Sequence, residues 1–192
     1  MTVEIREVGP EALAEFAAIP FTFHITSIFR VEEAGETPGA LRLVEEPVAA
    51  PYVKDYDAVE GEGPASWPKR FDLTRWGFFI AREGGEPVGA AAVAFDTPGC
   101  GMLEGRRDFA ALWDIRVQPS RRGEGIGSAL FRRAVAWARE RGCARLRIET
   151  QNTNVRACRF YMSRGCRLER ADRNAYPPPF KHEVMLLWTQ DL

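Results

Sequence analysis

The sequence is poor in metal-ligand chemistry. Its only histidines are His24 and His182, and its four cysteines, Cys100, Cys143, Cys158 and Cys166, form no C-x-x-C pair. That spacing excludes the usual zinc patterns, so small buried or half-buried thiols and no metal are expected. No apolar run approaches the length that crosses a bilayer, and no repeat at solenoid spacing divides the chain. The start, Met1 to Glu7, alternates apolar and charged residues as a strand does, unlike a secretory signal. A soluble, cytoplasmic protein with no membrane partner is the expectation. A net charge of -1 argues against a general nucleic-acid binder.

What is present is enough apolar residue for a real core: 45% of 192 residues, expected to fold as a single domain over 1–192. The charge is unevenly spread. Residues 1–100 carry 8 Lys+Arg against 17 Asp+Glu, and residues 101–192 carry 18 against 10. The basic half suits a phosphate-bearing ligand, and the acidic half suits a cationic second substrate.

Periodicity predicts most of the elements. Val3 to Val8 reads as a strand, and Pro10 opens a short helix over Glu11 to Ala18. Between 21 and 69, apolar pieces such as Ala40 to Val44 alternate with Gly35, Pro38, Pro47, Pro51, Gly61, Gly63, Pro64 and Pro68. Short elements and exposed loops in no fixed order are expected there. Trp76 to Arg82 and Pro87 to Phe95 flank Glu83-Gly84-Gly85-Glu86, a hairpin signal. Leu112 to Val117 alternates, with Trp113, Ile115 and Val117 on one face and Leu112, Asp114 and Arg116 on the other. From Gly125 to Arg141, Ile126, Leu130, Ala134 and Ala138 recur at helical spacing, and Gly142 stops the helix. Ala144 to Thr150 returns to period two. Asn152 is placed to cap a helix from Thr153 to Arg164, and strands follow around Cys166 to Arg170 and Glu183 to Thr189. Between them lies Asn174 to Pro179, a loop stiffened by three prolines.

The segment between the alternating strand and the long helix, Arg122-Gly123-Glu124-Gly125-Ile126-Gly127-Ser128, carries the strongest chemical signal. Alternating glycines let backbone approach a ligand, and the free N–H groups of a helix's first turn favour a phosphate or pyrophosphate. A dinucleotide fingerprint fails, because G-x-G-x-x-G requires glycine or alanine where Ser128 or Leu130 stands. A nucleoside-triphosphate loop fails for lack of G-K-[ST].

The remaining pattern, R-x-x-G-x-G at Arg122, Gly125 and Gly127 after a V-x-P strand end, resembles the GNAT superfamily of N-acetyltransferases. A second segment, Glu149-Thr150-Gln151-Asn152-Thr153-Asn154-Val155-Arg156-Ala157-Cys158-Arg159-Phe160-Tyr161, is similar to that family's N-x-x-A-x-x-F-Y motif and, locally, to the streptothricin acetyltransferases. The resemblance implies an α/β fold with a mixed, mostly antiparallel sheet and a strand-helix-strand core that binds acetyl-coenzyme A. It also implies which residues do what. Ile115, Arg116 and Val117 would pair through their backbone with the pantetheine arm. Arg122, Gly123, Glu124, Gly125, Ile126, Gly127 and Ser128 would hold the pyrophosphate. Asn154, Ala157 and Tyr161, taken as one helical stripe, would line the arm, with Tyr161 as general acid to the departing thiolate.

The base is open between Asp114 and Glu149, and for each an ion pair with Arg116 or Arg147 across the sheet is the favoured reading. Tyr176 and Glu183 are candidate contacts to a small, cationic amine acceptor, and residues 21–69 are expected to be a variable segment contributing to its site. Dimers are common in the family, so a homodimer is a partner to consider. Two other readings fit the same turn: an acyl-coenzyme A binding module without catalysis, and a protein N-acetyltransferase.

Overall fold

The structure is a computed structural model that describes residues 2–35 and 40–192, so Met1 and the loop signal at Pro38 lie outside the described residues. In chain order the elements are β1 (Glu4–Val8), α1 (Leu13–Ala17), β2 (Thr22–Glu33), β3 (Leu41–Asp55), α2 (Trp67–Arg70), β4 (Gly77–Glu83), β5 (Glu86–Phe95) and β6 (Phe109–Val117). They continue with α3 (Ile126–Glu140), β7 (Arg145–Gln151), α4 (Val155–Ser163), β8 (Arg167–Asp172) and β9 (Met185–Asp191). Two compact units share the chain. The first takes residues up to Thr22, then Asp55–Arg147 and Leu192; the second takes Phe23–Lys54 and Ile148–Asp191.

In the first unit, β1, β4, β5 and β6 lie side by side in that order, each pair antiparallel. The predicted hairpin joins β4 to β5, with Gly84 and Gly85 at φ of 60° and 93° supplying the positive angles of the turn. Helix α3 packs on β4, β5 and β6. It buries the predicted Ile126, Leu130, Ala134 and Ala138 together with Phe131 and Trp137, which widen the stripe, while Val135 on its margin is only partly buried. Each large buried side chain there contributes about 1.5–3 kcal/mol.

Two glycines set how closely α3 approaches the sheet. A Cβ on Gly77 would stand 2.5 Å from the Trp137 ring, and one on Gly89 would stand 2.8 Å from Ile126 Cγ2. Around Phe16, Trp67, Trp76 and Phe78 a second set of buried side chains forms an aromatic core, with Phe16 meeting Trp67 edge-on at 5.3 Å.

The second unit departs most from expectation. Much of the region with no predicted order forms one long hairpin, β2 and β3, a two-stranded sheet of its own. Pro47 and Pro51 sit within β3, which tolerates them because a two-stranded sheet leaves an edge where no ladder N–H is needed. Strands β7, β9 and β8 neighbour one another in that order, and β8 and β9 are antiparallel.

The buried Asn152 ties this unit together. Its backbone N–H donates to Val184 O at 2.9 Å, and its carbonyl accepts from Phe29 N at 2.9 Å. Its side chain repeats the pattern, Nδ2 donating to Phe29 O at 2.9 Å and Oδ1 accepting from Val184 N at 2.8 Å. Both polar atoms of that side-chain amide are therefore used for architecture, as burial requires.

Candidate active site

Strand β6 ends at Val117, a single 3-10 turn follows over Pro119–Arg121, and the glycine turn leads into α3. Gly123 and Gly125 have φ of 95° and 86°, and a Cβ on either would meet nothing within 4 Å. Glycine is required there by the sign of φ and not by crowding. Gly125 is the N-cap of α3, and the first helical bond runs from Ala129 N to Gly125 O at 3.0 Å. The amides of Ile126, Gly127 and Ser128 thus have no carbonyl behind them in the helix and point out at its positive end.

Two arginines brace this turn. Arg122 donates from Nε to Val117 O at 3.2 Å and from an Nη to Thr22 O at 2.6 Å, fastening the turn to the strand that precedes it. Arg121 pairs with Glu124 at 2.8 Å and with Glu83 at 2.8 Å. The Glu124 and Glu83 carboxylates hold the Arg121 guanidinium firmly protonated, and Arg121 in turn holds Glu124 below the usual carboxylate range. The turn thus sets backbone amides at the positive end of a helix and is stiffened by ion pairs, a geometry that suits an anion.

On β6 the predicted alternation is present, but the face carrying charge is the buried one. Leu112, Asp114 and Arg116 are 2%, 7% and 3% exposed, whereas Trp113, Ile115 and Val117 are only partly buried. Opposite β5 the register shifts between Ala92 and Val93, which pair with Asp114 and Leu112, so Trp113 is the extra residue of a bulge. Arg116 grips both Asp114 oxygens, at 3.0 and 2.6 Å, and also donates to Ile19 O and Asp57 Oδ1, each at 3.0 Å.

Burial pushes the Asp114 carboxyl up, opposed by the Arg116 charge. Burial alone would lower Arg116, but the Asp114 and Asp57 carboxylates outweigh it and raise it. Asp114 therefore stands as half of a buried ion pair, the second of the two roles the sequence leaves open for it.

Helix α4 starts two residues later than predicted. Asn154, not Asn152, is its N-cap, and Asn154 Oδ1 accepts from Ala157 N at 3.1 Å. The three-residue stripe is accordingly a cap plus a pair: Ala157 and Tyr161 share a face one turn apart, and Asn154 sits at the helix mouth. Tyr161 is buried, with its ring edge-on to Phe160 at 5.4 Å. Just before the cap, the buried Thr153 Oγ1 has no hydrogen-bond partner among the described residues.

The proline-stiffened loop brings two of the predicted residues together. Tyr176 donates its hydroxyl proton to Glu149 Oε1 at 2.9 Å, and Gln151 Nε2 donates to the Tyr176 oxygen at 3.0 Å. Glu183 stands apart from them. Both its oxygens accept from Lys54 Nζ, at 2.6 and 2.5 Å, in a pair 8% and 2% exposed, with the Phe180 ring 4.7 Å from the ammonium. Its charge is thereby spent inside the protein instead of being offered to a cationic acceptor.

Lys54 and Gln151 were not among the predicted site residues. The one signal for Lys54 is indirect: Glu183 heads the apolar run Val184 to Trp188, where a buried carboxylate needs a cation from elsewhere in the chain.

The model of the acetyltransferase (GNAT) family matches residues 43–166. The chain belongs to that family. It is an acetyl-coenzyme A-dependent N-acetyltransferase, and its α/β fold with a mostly antiparallel sheet is that of its structural neighbours.

The streptothricin acetyltransferase of Streptomyces lavendulae is 28% identical over 164 residues, spanning 85% of this chain and 81% of that protein. The crystal structure of nourseothricin acetyltransferase superposes with a TM-score of 0.75 at 25% identity, covering 100% of this chain and 99% of the other. A Bacillus anthracis protein solved in complex with acetyl coenzyme A has the same fold, with a TM-score of 0.78 at 23% identity over 100% and 98% of the two chains. The local likeness of Glu149 to Tyr161 to the streptothricin enzymes thus extends over most of the GNAT chain.

Proposed function

We propose that this GNAT enzyme acetylates a primary amine of a small cationic acceptor by direct attack on the thioester, and that streptothricin is the first such acceptor to try. The observation that carries the donor half is the left-handed Gly123 and Gly125 opening α3, because that backbone starts the helix with amides that have no helical carbonyl behind them. For the acceptor half the support is the S. lavendulae relative, whose name states its substrate.

In this reading the amides of Ile126, Gly127 and Ser128 receive the pyrophosphate, and the braced Arg122 adds positive charge beside them. Backbone groups of Ile115 to Val117 pair with the amides of the pantetheine arm in the manner of an added strand. Ala157 leaves room for the arm, and Asn154 Nδ2 donates to it, since Oδ1 is held by the Ala157 amide.

The amine nitrogen attacks the thioester carbon, an N–H near Val117 steadies the oxyanion, and the C–S bond breaks. Tyr161 supplies the proton that the thiolate takes. Glu149 accepts the proton that the nitrogen sheds. Asp114 is unsuited to that task, being buried with both oxygens on Arg116.

Thiol release from acetyl-coenzyme A tests the reading directly, with streptothricin, spermidine and kanamycin as acceptors. Release with streptothricin well above the others is the expected result. Release with lysine-bearing peptides alone would replace the small-molecule reading by the protein-acetylating one. Binding of acetyl-coenzyme A with no release to any amine would favour a binding module.

A further inference from the structure

The three groups Gln151, Tyr176 and Glu149 form a chain whose direction chemistry alone decides. A carboxylate can only accept, so the hydrogen bond between Glu149 and Tyr176 must use the tyrosine's single proton. The tyrosine oxygen is then left as acceptor, and the amide of Gln151 must present Nε2 and not Oε1 to satisfy it. Each member fixes the next, and donation into the hydroxyl oxygen strengthens its donation onward. The middle member comes from a different part of the chain than the other two. Glu149 and Gln151 alternate along β7, while Tyr176 arrives on the loop before Pro177, Pro178 and Pro179, which narrow its backbone freedom.

We propose that Tyr176 is a positioning residue: it holds the Glu149 carboxylate in one orientation for the proton of the attacking amine, and Gln151 holds Tyr176. The proposal rests on the reading of Glu149 as the base. A freely rotating glutamate spreads its oxygens over several rotamers, and a base must lie within hydrogen-bond reach of the proton it removes. Tyr176 does not need to touch the acceptor to serve this purpose. Its effect on the proton transfer passes through Glu149, which makes it measurable.

The experiment is a double-mutant cycle on the intact enzyme, followed by thiol release with acetyl-coenzyme A and streptothricin. Glu149→Gln is expected to lower kcat roughly a hundredfold and Tyr176→Phe roughly tenfold, with the KM for acetyl-coenzyme A unchanged in both. The double variant is expected to be no slower than Glu149→Gln alone. Losses that multiply, or a Tyr176→Phe enzyme that changes KM for the acceptor and leaves kcat intact, would overturn the proposal.

Full activity in Glu149→Gln would remove Glu149 as base, and the proposal with it, while leaving acetyl transfer standing. A crystal structure of Tyr176→Phe tests the same point without turnover. A Glu149 carboxylate that moves or spreads over rotamers is expected, and one that stays in place overturns the proposal even if streptothricin proves not to be the acceptor.

Discussion

The glycine turn of the first unit and the loop network of the second are built from opposite materials. At Arg122 to Ser128 the working groups are backbone amides, shaped by the glycines within the turn and braced from farther off by Arg122 on Thr22 and Arg121 on Glu83. In the second unit the working groups are side chains that meet from far apart: Lys54 and Glu183 are 129 positions distant, and Glu149 and Tyr176 are 27. The first design constrains conformation and tolerates almost any neighbour. The second constrains partners, and where the pair is buried, as at Lys54 and Glu183, losing one member leaves its mate behind in a dry place.

That contrast is open to attack by mutation. The largest effect is expected at Lys54→Met, which strands the Glu183 charge and should cost about 3–5 kcal/mol in urea unfolding. Pairing it with Glu183→Leu should recover most of the loss, and a single-variant cost below about 1 kcal/mol would show the pair to be dispensable.

Next comes Tyr161→Phe, expected to slow thiol release about a hundredfold, or ~2.7 kcal/mol of barrier, at unchanged affinity for acetyl-coenzyme A by calorimetry. An unchanged rate would remove Tyr161 as the acid.

Smaller still is Gly125→Ala. Forcing a side chain into φ of 86° should lower stability by roughly 1–2 kcal/mol and weaken acetyl-coenzyme A binding, with Gly125→Asn milder because asparagine accepts that region more readily. Equal losses from the two would mean that space, not conformation, is limiting.

The smallest effect concerns the thiols. Burial pushes Cys158 and Cys166 up to about 11, so the folded protein resists forming thiolates. A raised thiol pKa gives stability that is full below the ordinary thiol value and declines as pH climbs from there toward about 11. Ellman's reagent at pH 8 should accordingly react slowly with the native protein and quickly with the unfolded one; rapid native reaction at these two positions would contradict their burial.

What the sequence makes legible follows the same division. Helix α3, the β4–β5 hairpin and the glycine turn are local, and period, turn chemistry and glycine spacing are enough to find them. The long β2–β3 hairpin is hidden because Pro47 and Pro51 look like breaks until the edge position of β3 is known. Which face of β6 is buried is hidden for a different reason. Hydrophobicity favours Trp113, Ile115 and Val117 for the interior, but Asp57 and Ile19 O supply Arg116 with partners that periodicity cannot see.

The cap of α4 falls on Asn154 because Asn152, two places earlier and equally qualified by type, is used to join Phe29 to Val184. Among candidate site residues, the sequence cannot decide between ion pair and chemistry for Asp114, nor see that Glu183 belongs to Lys54.

The interleaving of the two units also sets a schedule for synthesis. The β2–β3 hairpin leaves the ribosome as residues 23–54, yet the partners that fix it, Asn152 at Phe29, Arg173 at Val31 and Glu183 at Lys54, belong to residues 148–191. At the usual pace of translation the nascent hairpin waits roughly 5–20 s for the first of them, while the glycine turn of the other unit is completed in the interval. For that time it has only two strands and no packed face, a state in which isolated hairpins are marginal. The prolines and charges along β3 then protect an exposed edge from pairing with a neighbouring chain before its own C-terminal segment exists.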